Sequence, residues 1–219
     1  NFNNSDIILG YGVYKKQKGF LNKLIRFDTF NVAQQYLSYA LKGQTYMGVG
    51  RNLAYKKSLF FDNKGFANHI HIPSGDDDLF IQEVASADNV SIKLSESAHT
   101  TSEVIDKWGE WVYQKRRHIS TSPHYKFKFK ALLALYPYAQ LFFWLSIVLL
   151  FSFKVNVIFI GSLLVVKLLV SYLVNYKFMK QLKVADLYLL HPLYEIAHLL
   201  IQGIFVLLNL FNKPKKWSR

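Results

Sequence analysis

Apolar residues fall into two regimes along the chain: short patterned runs up to about residue 122, and long unbroken ones from Ala131 onward. In the first regime, residues 6–14, "DIILGYGVY", read as a buried strand closed by glycines. The stretch over 18–43 reads as a helix, with Leu21, Leu24, Ile25, Val32, Tyr36, Leu37 and Ala40 mostly three or four positions apart and Gly43 as its stop. "YMGVGRNLAYKKSLFF" is a glycine-punctuated segment running into a short helix, and "GFANHIHIPSGDDDLFIQEVAS" is a loop that ends at an acidic triplet where the next helix begins. "NVSIKL" is β-like. "SEVIDKWGEWVYQKRRH" reads as an amphipathic helix with Val104, Trp108, Trp111 and Val112 on one face and Lys115, Arg116 and Arg117 at the C-terminal end, where the helix dipole favours cations.

In the second regime, Ala131–Ser152 runs 22 residues without a charge. At about 1.5 Å per residue that is enough to cross a hydrocarbon layer of roughly 30 Å. Val155–Tyr176 is a second span, with a single Lys167 that must snorkel or find a partner. Leu182–Phe211 is interrupted by His191, Pro192, Glu195 and His198, and reads either as a kinked third span or as a helix lying in the interface. The approach to the first span is dense in Lys and Arg, the first link carries only Lys154, and the second carries Lys177, Lys180 and Lys183. The positive-inside rule therefore puts the front part in the cytoplasm. The tail "NKPKKWSR" conflicts with this, because three full crossings would leave its basic residues outside.

The chain divides on this reading into a front domain over 1–122 and a membrane region over 123–219. A formal charge of +13 favours anionic partners, namely phosphates, nucleotides or anionic lipid. The lack of cysteine excludes disulfides, zinc-thiolate sites and thiol nucleophiles. Because the chain opens directly on a strand-like segment, we read it as a piece of a longer protein.

Three features offer chemistry. Asp76, Asp77 and Asp78 form either a solvated helix cap or a site where mutual repulsion raises one carboxyl into the range of a general base. "QKRRH" is either a basic membrane flank or a helix end on which Gln114 and Arg117 share a face and the guanidinium fork meets a diphosphate. In "YMGVGRN", Gly48 and Gly50 allow close backbone approach, with Arg51 and Asn52 as polar neighbours; no Walker loop or dinucleotide fingerprint is present. His69 and His71 lack a third ligand at useful spacing and fit ordinary packing or substrate contact. "STSPHY" has no nucleophile elbow, and a metal phosphohydrolase lacks its recurring ligands.

The order of "MGVGRNLAYKKSLF", "GDDDLF", "QKRRH" and membrane helices resembles the C-terminal half of a membrane-bound family 2 glycosyltransferase of the GT-A type, the group that includes hyaluronan, chitin and cellulose synthases. The resemblance implies an α/β fold: the C-terminal part of a GT-A-type catalytic domain, a mixed sheet with helices, followed by transmembrane α-helices. It implies inverting transfer from a nucleotide-sugar donor to a sugar or lipid-linked acceptor at the cytoplasmic membrane face, with membrane lipid as a further partner and no nucleic acid. Asp77 falls at the general base. Asp76, Asp78, Gly50, Arg51, Asn52, Gln114, Arg117 and His118 fall at donor- or acceptor-binding positions, and His118 stands where the family's Q-x-x-R-W motif has Trp. The Mg or Mn ion and the nucleotide-binding lobe that the family uses are expected mainly upstream of residue 1, so this piece alone is expected to be inactive. The competing reading is a non-catalytic, membrane-anchored basic module that binds anionic lipid or a protein partner.

Overall fold

The computed structural model describes residues 2, 4–72, 74–212 and 214. The run over 6–14 is two strands rather than one: β1 (Ile7–Leu9) and β2 (Gly12–Tyr14) follow each other but join different sheets. In the first sheet β1 lies between an antiparallel β3 (Leu53–Tyr55) and a parallel β4 (Val90–Ile92). In the second, β2 runs parallel to β5 (Thr100–Ser102). The break falls at Gly10 and Tyr11, and Asn52 bridges it. Its Nδ2 donates to the Tyr11 carbonyl at 2.9 Å and the Ala98 carbonyl at 2.7 Å, while its own carbonyl accepts the Gly10 N–H at 3.0 Å. A Cβ on Gly10 would lie 2.2 Å from Asn52 Oδ1, so the bridge requires glycine there.

β3 and β5 have no clear strand signature of their own, since β5 reads Thr-Thr-Ser and much of both is exposed. Their conformation comes from pairing with β1 and β2, a tertiary effect that overrides local pattern. The helices α1 (Phe20–Leu41), α2 (Lys57–Asp62) and α3 (Asp76–Val84) form where the spacing predicts them. The following helix, α4 (Trp108–Ile119), starts later than "SEVIDK" suggests. Ser102 belongs to β5, and its carbonyl accepts the Lys15 N–H at 3.1 Å, so Val104 lies in the lead-in rather than on the helical face.

Three long helices follow: α5 (Phe127–Ser152), α6 (Val157–Gln181) and α7 (His191–Phe211), each long and apolar enough to cross a membrane. The fold is thus mostly helical, with its β structure confined to two small sheets ahead of the apolar helices. The segment over 182–190 is a turn region with a short 3-10 element, and Pro192 sits in the first turn of α7, where its missing N–H leaves no intrahelical bond unmade.

The core continues past the front domain into these helices. Ile7, Leu9, Phe30, Tyr36 and Phe80 pack in one cluster with Phe129 of α5, Met179 of α6, and Leu182, Val184 and Leu187 of the link. Arg26 of α1 is buried and grips Asp186 with both arms, at 2.8 and 2.6 Å, while Nη2 also donates to the Lys183 carbonyl at 3.0 Å. Lys167 finds its partner in Glu195, which also accepts from the Tyr136 hydroxyl at 2.9 Å and from Gln140. Lys167 and Glu195, the two charged interruptions, therefore answer each other, which limits the cost of placing them among apolar helices.

Candidate functional site

The acidic triplet opens α3. Gly75 adopts the left-handed conformation, φ 79°, and Asp76, Asp77 and Asp78 occupy the first helical turn, where exposed N–H groups favour negative charge. A Cβ on Gly75 would fall 2.2 Å from Thr121 Cγ2, so the start of α3 is docked against the chain two residues past α4. Both the positive φ and that contact oppose a side chain. Gly75→Ala is expected to lower stability by roughly 1–3 kcal/mol, read as a lower thermal midpoint.

The three carboxylates have different surroundings. Asp76 is exposed. Asp77 is half-buried, and its Oδ2 accepts the Gly50 N–H at 2.6 Å while Oδ1 accepts the Asp78 N–H at 3.1 Å. A Cβ on Gly50 would lie 2.9 Å from Asp77 Oδ2, so the glycine allows the backbone to approach this closely. Loss of water raises the Asp77 carboxyl above the ordinary range and the Asp76 charge adds to the effect, against the pull of the Gly50 N–H. Asp78 accepts the Tyr125 hydroxyl. Burial and then the Asp77 charge push its carboxyl well up, so it is held as an internal group on Tyr125 rather than facing a ligand.

The basic segment arrives from α4. Arg117 is buried, and burial pulls its guanidinium down, opposed first by Tyr113 and then by the charges of Asp76 and Asp77. Gln114 is half-buried one turn earlier. His118 is exposed, and the positive Lys115, Arg117 and Arg51 around it hold its imidazole below the ordinary histidine range. Arg51 is exposed, lies 4.4 Å over the Tyr14 ring and donates to Ser102 Oγ at 2.9 Å.

Three segments far apart in sequence thus meet: Gly50–Asn52 through the bond from Gly50 to Asp77, the triplet itself, and the chain just past α4 through Thr121 against Gly75, with Arg117 near enough for the charges of Asp76 and Asp77 to act on it. Asn52 is the residue whose place departs most from expectation, since its amide protons are spent holding β1, β2 and Ala98 together. His69 is buried, 3.4 Å from Glu83 Oε1 and packed on Phe66, while His71 is exposed, so the two do not form a pair. Tyr125 and Thr121 also belong to the site, and "STSPHY" carries no pattern that ties it to the acidic loop.

The arrangement offers a carboxylate with raised proton affinity, fixed by a backbone N–H, beside cations suited to an anionic group. Among the described residues no three His, Asp or Glu side chains come together in a way that would hold a metal ion; the ligands expected for Mg or Mn lie mainly upstream of residue 1. No known family model matches the chain, and no curated protein matches it.

Proposed function

We propose that the protein is part of an inverting, membrane-bound sugar transferase of GT-A type, moving a sugar from a nucleotide-sugar donor to an acceptor hydroxyl at the cytoplasmic membrane face. The observation that carries this reading is the Gly50 N–H to Asp77 bond, which fixes a carboxyl of raised proton affinity in a site that also feels Arg117. Asp77 takes the proton of the acceptor hydroxyl as its oxygen bonds to the anomeric carbon, and the bond from that carbon to the diphosphate breaks on the opposite face. Arg117 and Arg51 offset the charge of the departing diphosphate, and Gln114 contributes amide donors from the preceding turn. His118, held neutral, offers an imidazole face to the acceptor where the resembled motif has Trp.

The test is turnover of a panel of nucleotide sugars by the full-length protein, with and without Mg or Mn, read as release of nucleoside diphosphate. Release with at least one donor is expected. Absence of both turnover and nucleotide binding across the panel would remove the transferase reading and favour the non-catalytic basic module.

A further inference from the structure

The contacts of α7 bear on which side of the membrane the chain's last residues occupy. By length alone α7 spans about 31 Å at 1.5 Å per residue, enough to cross. Its neighbours place it otherwise. The link before it climbs back along α6: the Tyr172 hydroxyl donates to the Leu189 carbonyl at 2.8 Å, and Tyr188 packs on Tyr172 and Tyr176 at ring separations of 5.1 and 5.4 Å. α7 therefore begins beside the body of α6, with Glu195 on Lys167, Tyr136 and Gln140.

From there it runs over the front domain rather than along α5 and α6. Its middle meets α1, where Phe27 stacks on Tyr194 at 5.5 Å and Asp28 accepts from His198 at 3.0 Å. Its far end meets α4, the helix that carries Gln114 and Arg117. Trp111 packs on Phe205 at 5.6 Å, Arg116 donates to Asn209 Oδ1 at 3.0 Å and the Leu208 carbonyl at 3.2 Å, and Asn209 returns a bond to the Arg116 carbonyl at 2.8 Å. A crossing α7 with these contacts intact would draw Lys115, Arg116 and Arg117 into the hydrocarbon, which is strongly unfavourable.

The faces of α7 agree. His191, Glu195, His198, Gln202 and Asn209 line the side against protein, whereas Leu193, Leu200, Ile204, Leu207, Leu210 and Phe211 are open. The open side joins an interfacial type of surface at its start: Phe20 stacks between Trp108 at 6.2 Å and Tyr194 at 6.3 Å, and a recess of about 360 Å³ lined by Phe20, Lys23, Leu190 and Leu193 opens beside it. Aromatic rings and a lysine beside an apolar face are the composition of a headgroup boundary.

We infer that α7 does not cross the membrane but lies in the leaflet on the front domain's side, its open apolar face in lipid, while α5 and α6 form the crossing pair. The tail, whose basic residues all lie outside the described residues, then follows a helix end on the same side as Lys177, Lys180 and Lys183, and the charge conflict noted in the sequence disappears.

None of residues 1–219 is cysteine, so the only background change the test needs is replacement by serine of any cysteine elsewhere in the full-length protein. Single substitutions Lys154→Cys, in the turn between α5 and α6, and Ser218→Cys, in the tail, are introduced separately into the full-length protein in sealed membranes. Each is treated with a membrane-impermeant maleimide from one face and then the other. With α7 in the leaflet, the two positions label from opposite faces, whichever face the front domain occupies. Labelling of both from the same face would show that α7 crosses and overturn the inference; neither result depends on sugar transfer.

Discussion

Asp77→Asn in the full-length protein is expected to lower sugar transfer by about 10²- to 10⁴-fold, the usual contribution of a general base, while leaving the fold intact. Asparagine keeps the size of the side chain and one oxygen, which can accept the Gly50 N–H now bonded at 2.6 Å, and gives up only the longer 3.1 Å bond from the Asp78 N–H, so the fold is expected to stay intact. What it loses is proton affinity. The wild-type pH profile of kcat/KM is expected to rise with pH through an Asp77 value above the ordinary 3.8, because the protonated acid below that point cannot accept the acceptor proton. The same limb should vanish in the variant. Turnover unchanged by the substitution, or a limb that persists in it, would take Asp77 out of the role, even if donor binding were retained.

The site was partly legible in the chain because its chemistry sits in local strings. "GDDD" marks a helix start whether or not it catalyses, and Arg117 follows from helical spacing in "QKRRH". Illegible were the interactions whose partners lie far off in sequence. Asn52 in "GRN" looks like a ligand contact, yet it is the clamp between two sheets, and nothing near it announces that β1 and β2 part at Gly10. Asp78 is indistinguishable in sequence from Asp77; only the Tyr125 hydroxyl, 47 residues on, separates their roles.

The long helices illustrate the same limit from the other side. Length and hydropathy identify α5 and α6 within a few residues, because a lipid-facing helix needs no specific partner to declare itself. In α7 the same measures are ambiguous, since its polar residues are spaced along one face and each answers a partner on α1, α4, α5 or α6. Lys167 and Glu195 each stand out alone as an anomaly in an apolar run. Their pairing is visible only in three dimensions.

Asp28 is the residue whose loss should most damage the fold, although "RFDTF" reads as an ordinary charged position on a helix. Its carboxylate is buried where α1, α4 and α7 meet, with Oδ2 2.9 Å from Lys115 Nζ and Oδ1 accepting from His198 Nε2 at 3.0 Å and Gln202 Nε2 at 3.3 Å. Asn31 Nδ2 lies 3.3 Å from the other His198 nitrogen, so both sides of the imidazole are held. Burial opposes the charge, but Lys115 and His198 outweigh it and hold the carboxyl well below the carboxylate range. Asp28→Asn leaves the Lys115 ammonium buried without its counter-charge, a loss of about 3–5 kcal/mol for a broken internal pair. For a chain of 219 residues that corresponds to a fall in thermal midpoint on the order of 10 °C in the detergent-solubilised protein. Since the folded value is depressed, the wild-type contribution is complete above the ordinary 3.8 and fades as pH falls through the folded value. Acid should therefore narrow the gap between wild type and Asp28→Asn. Adding Lys115→Met to Asp28→Asn removes the stranded charge and should recover much of the midpoint; a double variant no more stable than the single would show that packing at the junction, rather than the charge pair, sets the loss.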